Sequence, residues 1–156
     1  MTAPYLLSSS TVVPASLDVA FAGVLDAPLE NLFPERAGAI PAIKECTGQV
    51  GAWDTVGKTR TVVLADGTSN VETLVEYSRP GNYRYRLSDF TGPMKRLVAG
   101  VDGQFTFVPE GEGTRVTWSW SITPTNAGTR VVLPVIGIFW RKYAAGMWPR
   151  YAASLG

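Results

Sequence analysis

The C-terminal stretch, residues 129–155, constrains the fold of this chain more than any other segment. Read as one helix, it places large apolar residues three or four positions apart on a single face, while its basic residues fall largely elsewhere. The residues of this stripe are Leu133, Ile136, Trp140, Tyr143, Met147 and Tyr151. Such an aromatic stripe needs a broad apolar surface to pack against. We therefore predict a long final helix, which Pro149 should bend or end near Trp148.

Most of the remaining chain alternates between apolar and polar residues, which is typical of antiparallel strands. The predicted strands cover residues 7–13, 43–53, 59–64, 69–77, 83–87, 97–109 and 114–124. Two short helices follow the first strand: Ser16 is a good N-cap for one that stops before Pro28, and the second covers residues 29–33. The pattern predicts a single α+β domain over residues 1–156, with the long helix held against the concave side of a curved sheet.

The charge balance and two compositional features exclude several functions. Lys and Arg total 14 and Asp and Glu total 13, so no basic excess indicates nucleic acid or an anionic membrane surface as a partner. The absence of histidine removes Ser-His-Asp and Cys-His catalysis and the usual zinc sites. The single cysteine, Cys46, has no partner for an internal disulfide, and we expect it to pack as a small residue. We predict no metal and no cofactor.

The sequence carries no pattern of a targeting or membrane segment. Its N-terminus lacks a basic region followed by a long apolar run, so it does not resemble a signal peptide. The longest apolar run, residues 131–140, contains Pro134 and is about half the roughly 20 residues that a membrane span needs. We predict a cytoplasmic protein without a membrane span.

Aromatic residues are more abundant than a core of this size needs, with five Trp, six Tyr and six Phe among 156 residues. Alternation places many of them on strand faces that would meet the final helix across a space. A simple packed core is one interpretation, but buried Trp and Tyr bring polar groups that need partners, which favours an open pocket. We predict that a hydrophobic ligand contacts Tyr83, Tyr85, Phe105, Phe107, Trp118, Trp120, Ile136, Trp140, Tyr143 and Met147.

Two glutamates and two arginines lie on neighbouring predicted strands. Glu72 and Glu76 share parity and alternate with apolar neighbours, so both are predicted to face water. Arg84 and Arg86 alternate with tyrosines and are likewise predicted to be solvated. Either arginine has the option of pairing with one of the glutamates across strands.

Three residues are weak candidates for proton transfer in the pocket. Asp89 has the same parity as Tyr85 and would look into the pocket mouth, although an Asp at a strand end is more often a turn residue. Tyr85 and Tyr143 are the hydroxyl candidates. The sequence pattern of these residues does not indicate a specific reaction.

The helix has a second apolar side, formed by Val132, Val135 and Phe139. A helix buried on one side only should not have such a face. It would cover the pocket, the loop after Trp53, or a second copy of the chain, so a homodimer is one of the alternatives.

Four local strings occur in order along the chain: Val-Pro-Ala-Ser at 13–16, Val-Gly-Lys-Thr-Arg at 56–60, Ala-Asp-Gly at 65–67 and Gly-Thr-Arg-Val-Thr-Trp at 113–118. Together they resemble the START-like (SRPBCC) superfamily and, within it, the polyketide cyclase/dehydrase-like proteins. The resemblance implies a helix-grip fold, in which a seven-stranded antiparallel sheet wraps around the C-terminal helix with a hydrophobic cavity between them. It carries over no catalytic motif.

Two main functions are compatible with these features. The first is binding or carriage of a hydrophobic small molecule such as a lipid, a polyketide or an aromatic metabolite. The second is an enzyme of the polyketide cyclase or dehydratase kind, in which a pocket carboxylate or Tyr moves a proton. A protein-interaction role with a vestigial pocket is a third interpretation. The sequence alone does not decide whether the protein is an enzyme.

Overall fold

Seven strands form one antiparallel sheet that wraps around a long helix in a computed structural model describing residues 3–156. The strands are β1 (Tyr5–Val13), β2 (Ile43–Thr47), β3 (Thr59–Leu64), β4 (Ser69–Ser78), β5 (Asn82–Ser88), β6 (Val98–Glu110) and β7 (Gly113–Pro124). The helices are α1 (Leu17–Leu25), α2 (Leu29–Leu32), α3 (Met94–Leu97) and α4 (Leu133–Ser154). The spatial strand order is β1-β7-β6-β5-β4-β3-β2. The predicted α+β helix-grip architecture is confirmed.

Helix α1 begins where the sequence predicts. The side-chain oxygen of Ser16 accepts a hydrogen bond from the Val19 backbone N–H at 3.3 Å, which satisfies one of the free donors of the first turn. The helix buries an apolar face whose largest member is Phe21. The Phe21 ring centroid lies 5.1 Å from that of Phe107 on β6. This contact packs α1 against the inner face of the sheet.

Helix α4 begins at Leu133, after a 3-10 turn over Thr129–Val132, and all six residues of the predicted stripe are buried. Of the two outcomes predicted at Pro149, an end of the helix near Trp148 does not occur, because the helix continues through Pro149 to Ser154. Proline removes one backbone donor, but the turn that follows is anchored by packing. Tyr151 is fully buried, and its hydroxyl donates to the Ala20 carbonyl of α1 at 2.6 Å.

The second strand is shorter than predicted and ends at Thr47 instead of residue 53. Gly48 and Gly51 have φ angles of 78° and 72°, in the left-handed region that a strand does not use. The chain therefore leaves the sheet here. Trp53 turns back to lie 4.2 Å from the guanidinium carbon of Arg60 on β3. Helix α3 was also not predicted, and β6 accordingly starts at Val98 instead of residue 97.

A β-bulge in β4 separates the two glutamates that the sequence analysis placed on one face. Leu74 pairs with Tyr85 and Glu76 with Arg84, so Val75 is an extra residue between the two pairs. Glu76 faces outward and forms a 3.4 Å ion pair with Arg84. The prediction that Glu72 also faces water is wrong, because it lies on the concave face and is only 5% exposed.

The second apolar side of α4 is covered only in part. Phe139 packs so closely on the segment between α2 and β2 that a Cβ atom built on Gly38 would lie 2.1 Å from its ring. Val132 and Val135 remain exposed at the surface. Within residues 3–156, no helix combines the length and apolar character needed to cross a bilayer.

Candidate ligand-binding site

An internal cavity of about 130 Å³ lies on the concave face of the sheet, towards the end formed by β3, β4 and β5. Its floor consists of inward-facing side chains of β3 to β7. Its roof consists of α2 and the segment between α2 and β2, and its rim includes residues of the β3–β4 hairpin and residues 90–94. Most lining side chains are apolar, and Tyr143 is the one residue of α4 among them. The cavity therefore lies beside the long helix and not beneath its middle.

The ten side chains predicted to contact a ligand divide into two groups. The first group lines the cavity and consists of Tyr83, Tyr85, Phe105, Trp118, Trp120 and Tyr143. The second group lies in the packed core outside the cavity lining and consists of Phe107, Ile136, Trp140 and Met147. The alternation in the strands mainly identified residues of the cavity wall. The apolar stripe of the helix mainly identified residues of the packed core.

Direct aromatic packing explains why the helix stripe does not line the cavity. Trp140 is fully buried, and its ring centroid lies 4.6 Å from that of Trp118. Phe33, which follows α2, stacks on Tyr143 with centroids 4.5 Å apart and lies 5.4 Å from Trp118. These rings fill the space under the middle of α4. The cavity lies beyond α4, where α2 and the segment after it cover the sheet.

The cavity wall contains a hydrogen-bonded cluster of three aromatic residues. The Tyr85 hydroxyl oxygen accepts a hydrogen bond from Trp118 Nε1 at 2.8 Å and another from Trp120 Nε1 at 2.9 Å. Two indole donors occupy the acceptor positions of this oxygen. Among residues 3–156, the hydroxyl hydrogen of Tyr85 has no hydrogen-bond acceptor.

A glycine makes this cluster geometrically possible. Tyr85 is on β5 and the two tryptophans are on β7, so the Tyr85 ring must cross the intervening strand β6. It crosses at Gly103, where a Cβ atom would lie 2.0 Å from Tyr85 Cζ and 2.4 Å from its hydroxyl oxygen. Any side chain at this position would collide with the ring. Gly103 is thus a residue of the site that the sequence analysis did not identify.

A buried ion pair forms the opposite wall. Arg60 on β3 donates to Glu72 Oε2 from Nε at 3.1 Å and from Nη2 at 2.7 Å. The third contact of the guanidinium is a 3.1 Å hydrogen bond from Nη1 to Gln49, and Trp53 stacks on its face. Both charged residues line the cavity.

The buried environment of this pair favours the protonated form of the Glu72 carboxyl group more than bulk water does. Burial raises the pKa of Glu72, and the nearby Arg60 guanidinium opposes that rise without cancelling it. Glu72 Oε1 makes no hydrogen bond to any residue from 3 to 156 and is not shut away from the cavity. It is a buried carboxyl group with one oxygen available to a ligand.

The sequence analysis did not identify Arg60, Glu72 and Asn70 as cavity residues, although the β3–β4 hairpin contains a pattern that indicates two of them. The turn between β3 and β4 sets the register, in which Arg60 pairs with Glu72 and Val62 with Asn70. Oppositely charged residues at mirrored positions of a hairpin favour a shared face. Asn70 is 7% exposed, and its Oδ1 has no hydrogen-bond donor within the part of the chain described.

The three candidates for proton transfer have different environments. Asp89 is exposed, has a φ of 52° at the end of β5, and lies outside the cavity lining. Tyr143 donates its hydroxyl hydrogen to the Pro41 carbonyl at 2.9 Å, which fastens α4 to the roof segment. Burial raises the pKa of Tyr143, and burial with the Glu72 charge raises that of Tyr85, so both stay protonated at neutral pH.

The family model described as polyketide cyclase/dehydrase and lipid transport matches residues 6–155, which is nearly the whole chain. The chain belongs to this family. The resemblance to START-like proteins noted from the sequence is thereby confirmed. A comparison with curated protein sequences found no match.

Several solved structures of low sequence identity share the fold of this chain. Major latex-like protein 151 from Panax ginseng has a TM-score of 0.74 at 14% identity, covering 97% of each chain. A START superfamily protein from Mycobacterium smegmatis has a TM-score of 0.69 at 13% identity over 96% of each chain. Norcoclaurine synthase from Thalictrum flavum, solved in complex with dopamine and hydroxybenzaldehyde, has a TM-score of 0.69 at 15% identity, covering 96% of this chain and 85% of its own.

Proposed function

We propose that this protein binds a small, neutral, largely aromatic molecule in the cavity between the sheet and the segment after α2. The observation that carries the proposal is a cavity walled by aromatic side chains, in which the Tyr85 hydroxyl hydrogen and Glu72 Oε1 have no hydrogen-bond partner among the described residues. Ligand sites characteristically combine a mostly apolar wall with a few such convergent groups. Most buried polar groups of a packed core have hydrogen-bond partners.

The size of the cavity favours a compact ligand over an extended lipid chain. An apolar protein cavity of about 150 Å³ takes one benzene ring, whereas drug-sized ligands need roughly 300–1,000 Å³. The volume of about 130 Å³ is close to the first value. The complex of norcoclaurine synthase with two single-ring aromatic compounds is consistent with this choice. Charge neutrality of the ligand is supported by the Arg60–Glu72 pair, because a charged ligand would leave an unbalanced charge in a buried site.

Titration with 4-hydroxyacetophenone by calorimetry tests the proposal. We expect a dissociation constant on the order of 100 µM, which corresponds to about 5.5 kcal/mol. Val62→Phe should abolish this binding by filling the cavity, because Val62 is buried and lines it. Val63→Phe is the matched control, since its side chain lies on the opposite face of β3 and should leave the affinity unchanged.

Native mass spectrometry of protein purified from its own host would identify the ligand class directly. Retention of an aromatic molecule would support the proposal, and retention of a long-chain lipid would contradict it. If the wild-type protein neither binds 4-hydroxyacetophenone nor retains a small molecule, the interaction-protein interpretation is favoured instead. Cytoplasmic location and homodimer formation stay predictions from the sequence.

The second candidate function is proton-transfer catalysis, and Glu72 is the observation that favours it. Glu72 replaces Asp89 as the pocket carboxylate, because it is buried beside the cavity with a raised pKa and one free oxygen. Such a group would accept a proton from carbon next to a ligand carbonyl. In D₂O, the wild-type protein should then accelerate deuterium uptake into the methyl group of 4-hydroxyacetophenone, and Glu72→Gln should not. Equal rates for the two proteins would exclude this role for Glu72.

A further inference from the structure

We infer that the ligand presents a hydrogen-bond-accepting oxygen, of the carbonyl type, to the hydroxyl group of Tyr85. This inference rests on the proposed function, and it specifies one functional group of the ligand. It follows from counting the donors and acceptors around a single oxygen atom. Its two indole donors leave this oxygen only the role of a donor towards the cavity.

The two indole groups restrict Tyr85 to donation. Trp118 Nε1 and Trp120 Nε1 both donate to the Tyr85 oxygen, at 2.8 and 2.9 Å, and an indole nitrogen has no capacity to accept. The hydroxyl hydrogen therefore points elsewhere, and among residues 3–156 no acceptor receives it. Tyr85 is 6% exposed and lines the cavity, so an acceptor must come from the contents of the cavity.

The surroundings strengthen this donor. Hydrogen bonds in a chain polarise one another, and two incoming N–H dipoles make the Tyr85 O–H a better donor. Aromatic rings lie beside it, and the Trp118 ring stacks on that of Phe105 with centroids 5.7 Å apart. A buried donor without an acceptor is unfavourable, so the empty site gains free energy when an acceptor oxygen enters.

The neighbouring Tyr83 has no comparable restriction. It is 5% exposed, lies on the same strand and lines the same cavity, but its hydroxyl forms no hydrogen bond within the described residues. A hydroxyl without fixed partners rotates to donate or to accept. Tyr83 therefore does not distinguish an acceptor oxygen from a donor group on the ligand. It provides the matched control.

The experiment compares two probes that differ in one group, 4-hydroxyacetophenone and 4-ethylphenol, which has a methylene in place of the carbonyl. Affinities for wild-type protein, Tyr85→Phe and Tyr83→Phe are measured by calorimetry. We expect Tyr85→Phe to weaken binding of the ketone roughly fivefold or more and to change the affinity for 4-ethylphenol by less than about twofold. Tyr83→Phe should change both affinities by similar factors. Comparing the changes between probes cancels their different solubilities.

A second measurement does not depend on the stability of Tyr85→Phe, which leaves two indole donors unpaired. In wild-type protein, ketone binding should shift two of the indole N–H signals in a ¹H–¹⁵N spectrum, because the Tyr85 oxygen that they contact changes its polarisation. The ketone should also bind at least as tightly as 4-ethylphenol, despite its more costly removal from water.

The outcomes separate the two proposals. If neither probe binds, both the proposed function and this inference fail. If both probes bind but 4-ethylphenol binds tenfold more tightly, or if Tyr83→Phe discriminates between them and Tyr85→Phe does not, the binding function stands and the carbonyl inference is wrong. Indole signals that do not respond to the bound ketone would also overturn it.

Discussion

The two ends of the concave face of the sheet are built differently. At the end near β7 and β1, α4 packs directly on the strands, and Trp140 and Met147 are fully buried. At the end near β3 and β4, the long helix α4 does not reach the strands, and the inward-facing residues include Arg60, Asn70 and Glu72. Polar side chains thus face inward where the helix is absent. The first region stabilises the fold, whereas the second leaves a space whose wall can recognise a molecule.

The largest expected effect tests the packed end. Trp140→Ala should lower the free energy of unfolding by about 3–5 kcal/mol, because a fully buried aromatic side chain is removed from between Trp118 and Trp120. Chemical denaturation measures this change. Val132→Ala, at an exposed position just before α4, is the control and should change stability by less than about 0.5 kcal/mol. A small effect of Trp140→Ala would show that the open end extends under the helix.

A smaller but still large effect tests the charges at the open end. Arg60→Leu should destabilise the protein by about 3 kcal/mol at pH 7, because Glu72 is left as a buried carboxylate without its cation. The double variant Arg60→Leu with Glu72→Leu should recover most of that loss. Failure of the double variant to recover stability would mean that packing of the arginine side chain, and not charge, is what matters.

The pH dependence of stability gives an independent check on Glu72. Because its pKa is raised in the folded state, the folded protein holds this proton more tightly than the unfolded chain. The contribution of Glu72 is therefore most favourable below the ordinary carboxyl pKa of about 4.3 and is lost as pH rises through the folded-state value. The stability of wild-type protein relative to Glu72→Gln should fall over this window. A rise would mean that Arg60 outweighs burial and lowers the pKa.

An intermediate effect tests the link between the two ends, where the Tyr85 ring crosses β6. Gly103→Ala should lower stability by about 2 kcal/mol and weaken binding of 4-hydroxyacetophenone, since the new methyl group displaces Tyr85 from its two indole donors. Gly100→Ala, on the same strand, is the matched control, because its Cβ would meet only the Leu87 carbonyl oxygen at 3.6 Å. Equal effects of the two variants would indicate a general loss of strand flexibility and no specific role for Gly103.

The smallest expected effect concerns the outer face. Glu76→Gln should cost less than about 1 kcal/mol, because the Glu76–Arg84 pair is 41% and 45% exposed and water screens it. Thermal unfolding at low and high salt should show little difference between this variant and the wild type. An effect as large as that of Arg60→Leu would contradict the distinction between the inner and outer faces of β4.

The fold was predictable because its main signals are local. Alternation identified six of the seven strands to within about two residues at each end, and the spacing of apolar residues identified the whole buried stripe of α4. Two of the departures from the predicted elements have causes that the apolar pattern does not reveal. Gly48 ends β2 through its backbone conformation, and the anchoring of Tyr151 carries α4 past Pro149.

The site was predictable only in part, as Glu72 and Trp140 illustrate. Both side chains point to the interior. The periodicity of a strand or helix tells which residues share a face, but it does not tell what that face contacts. Trp140 was expected to contact a ligand, yet it packs directly against Trp118. Glu72 was expected to face water, yet its burial depends on Arg60, which comes from another strand. Each outcome is decided by what lies opposite the residue.

The sequence by itself determined the element order, the α+β class and the aromatic character of the wall, because helix and strand periodicity act over a few residues. Only the tertiary structure decided where the cavity lies, that Arg60 and Glu72 form a pair inside it, and that Tyr85 crosses Gly103 to reach β7. These features join residues that are distant in the chain. Their geometry depends on strand register, a bulge in β4 and the docking of α4, and each of these requires the assembled sheet.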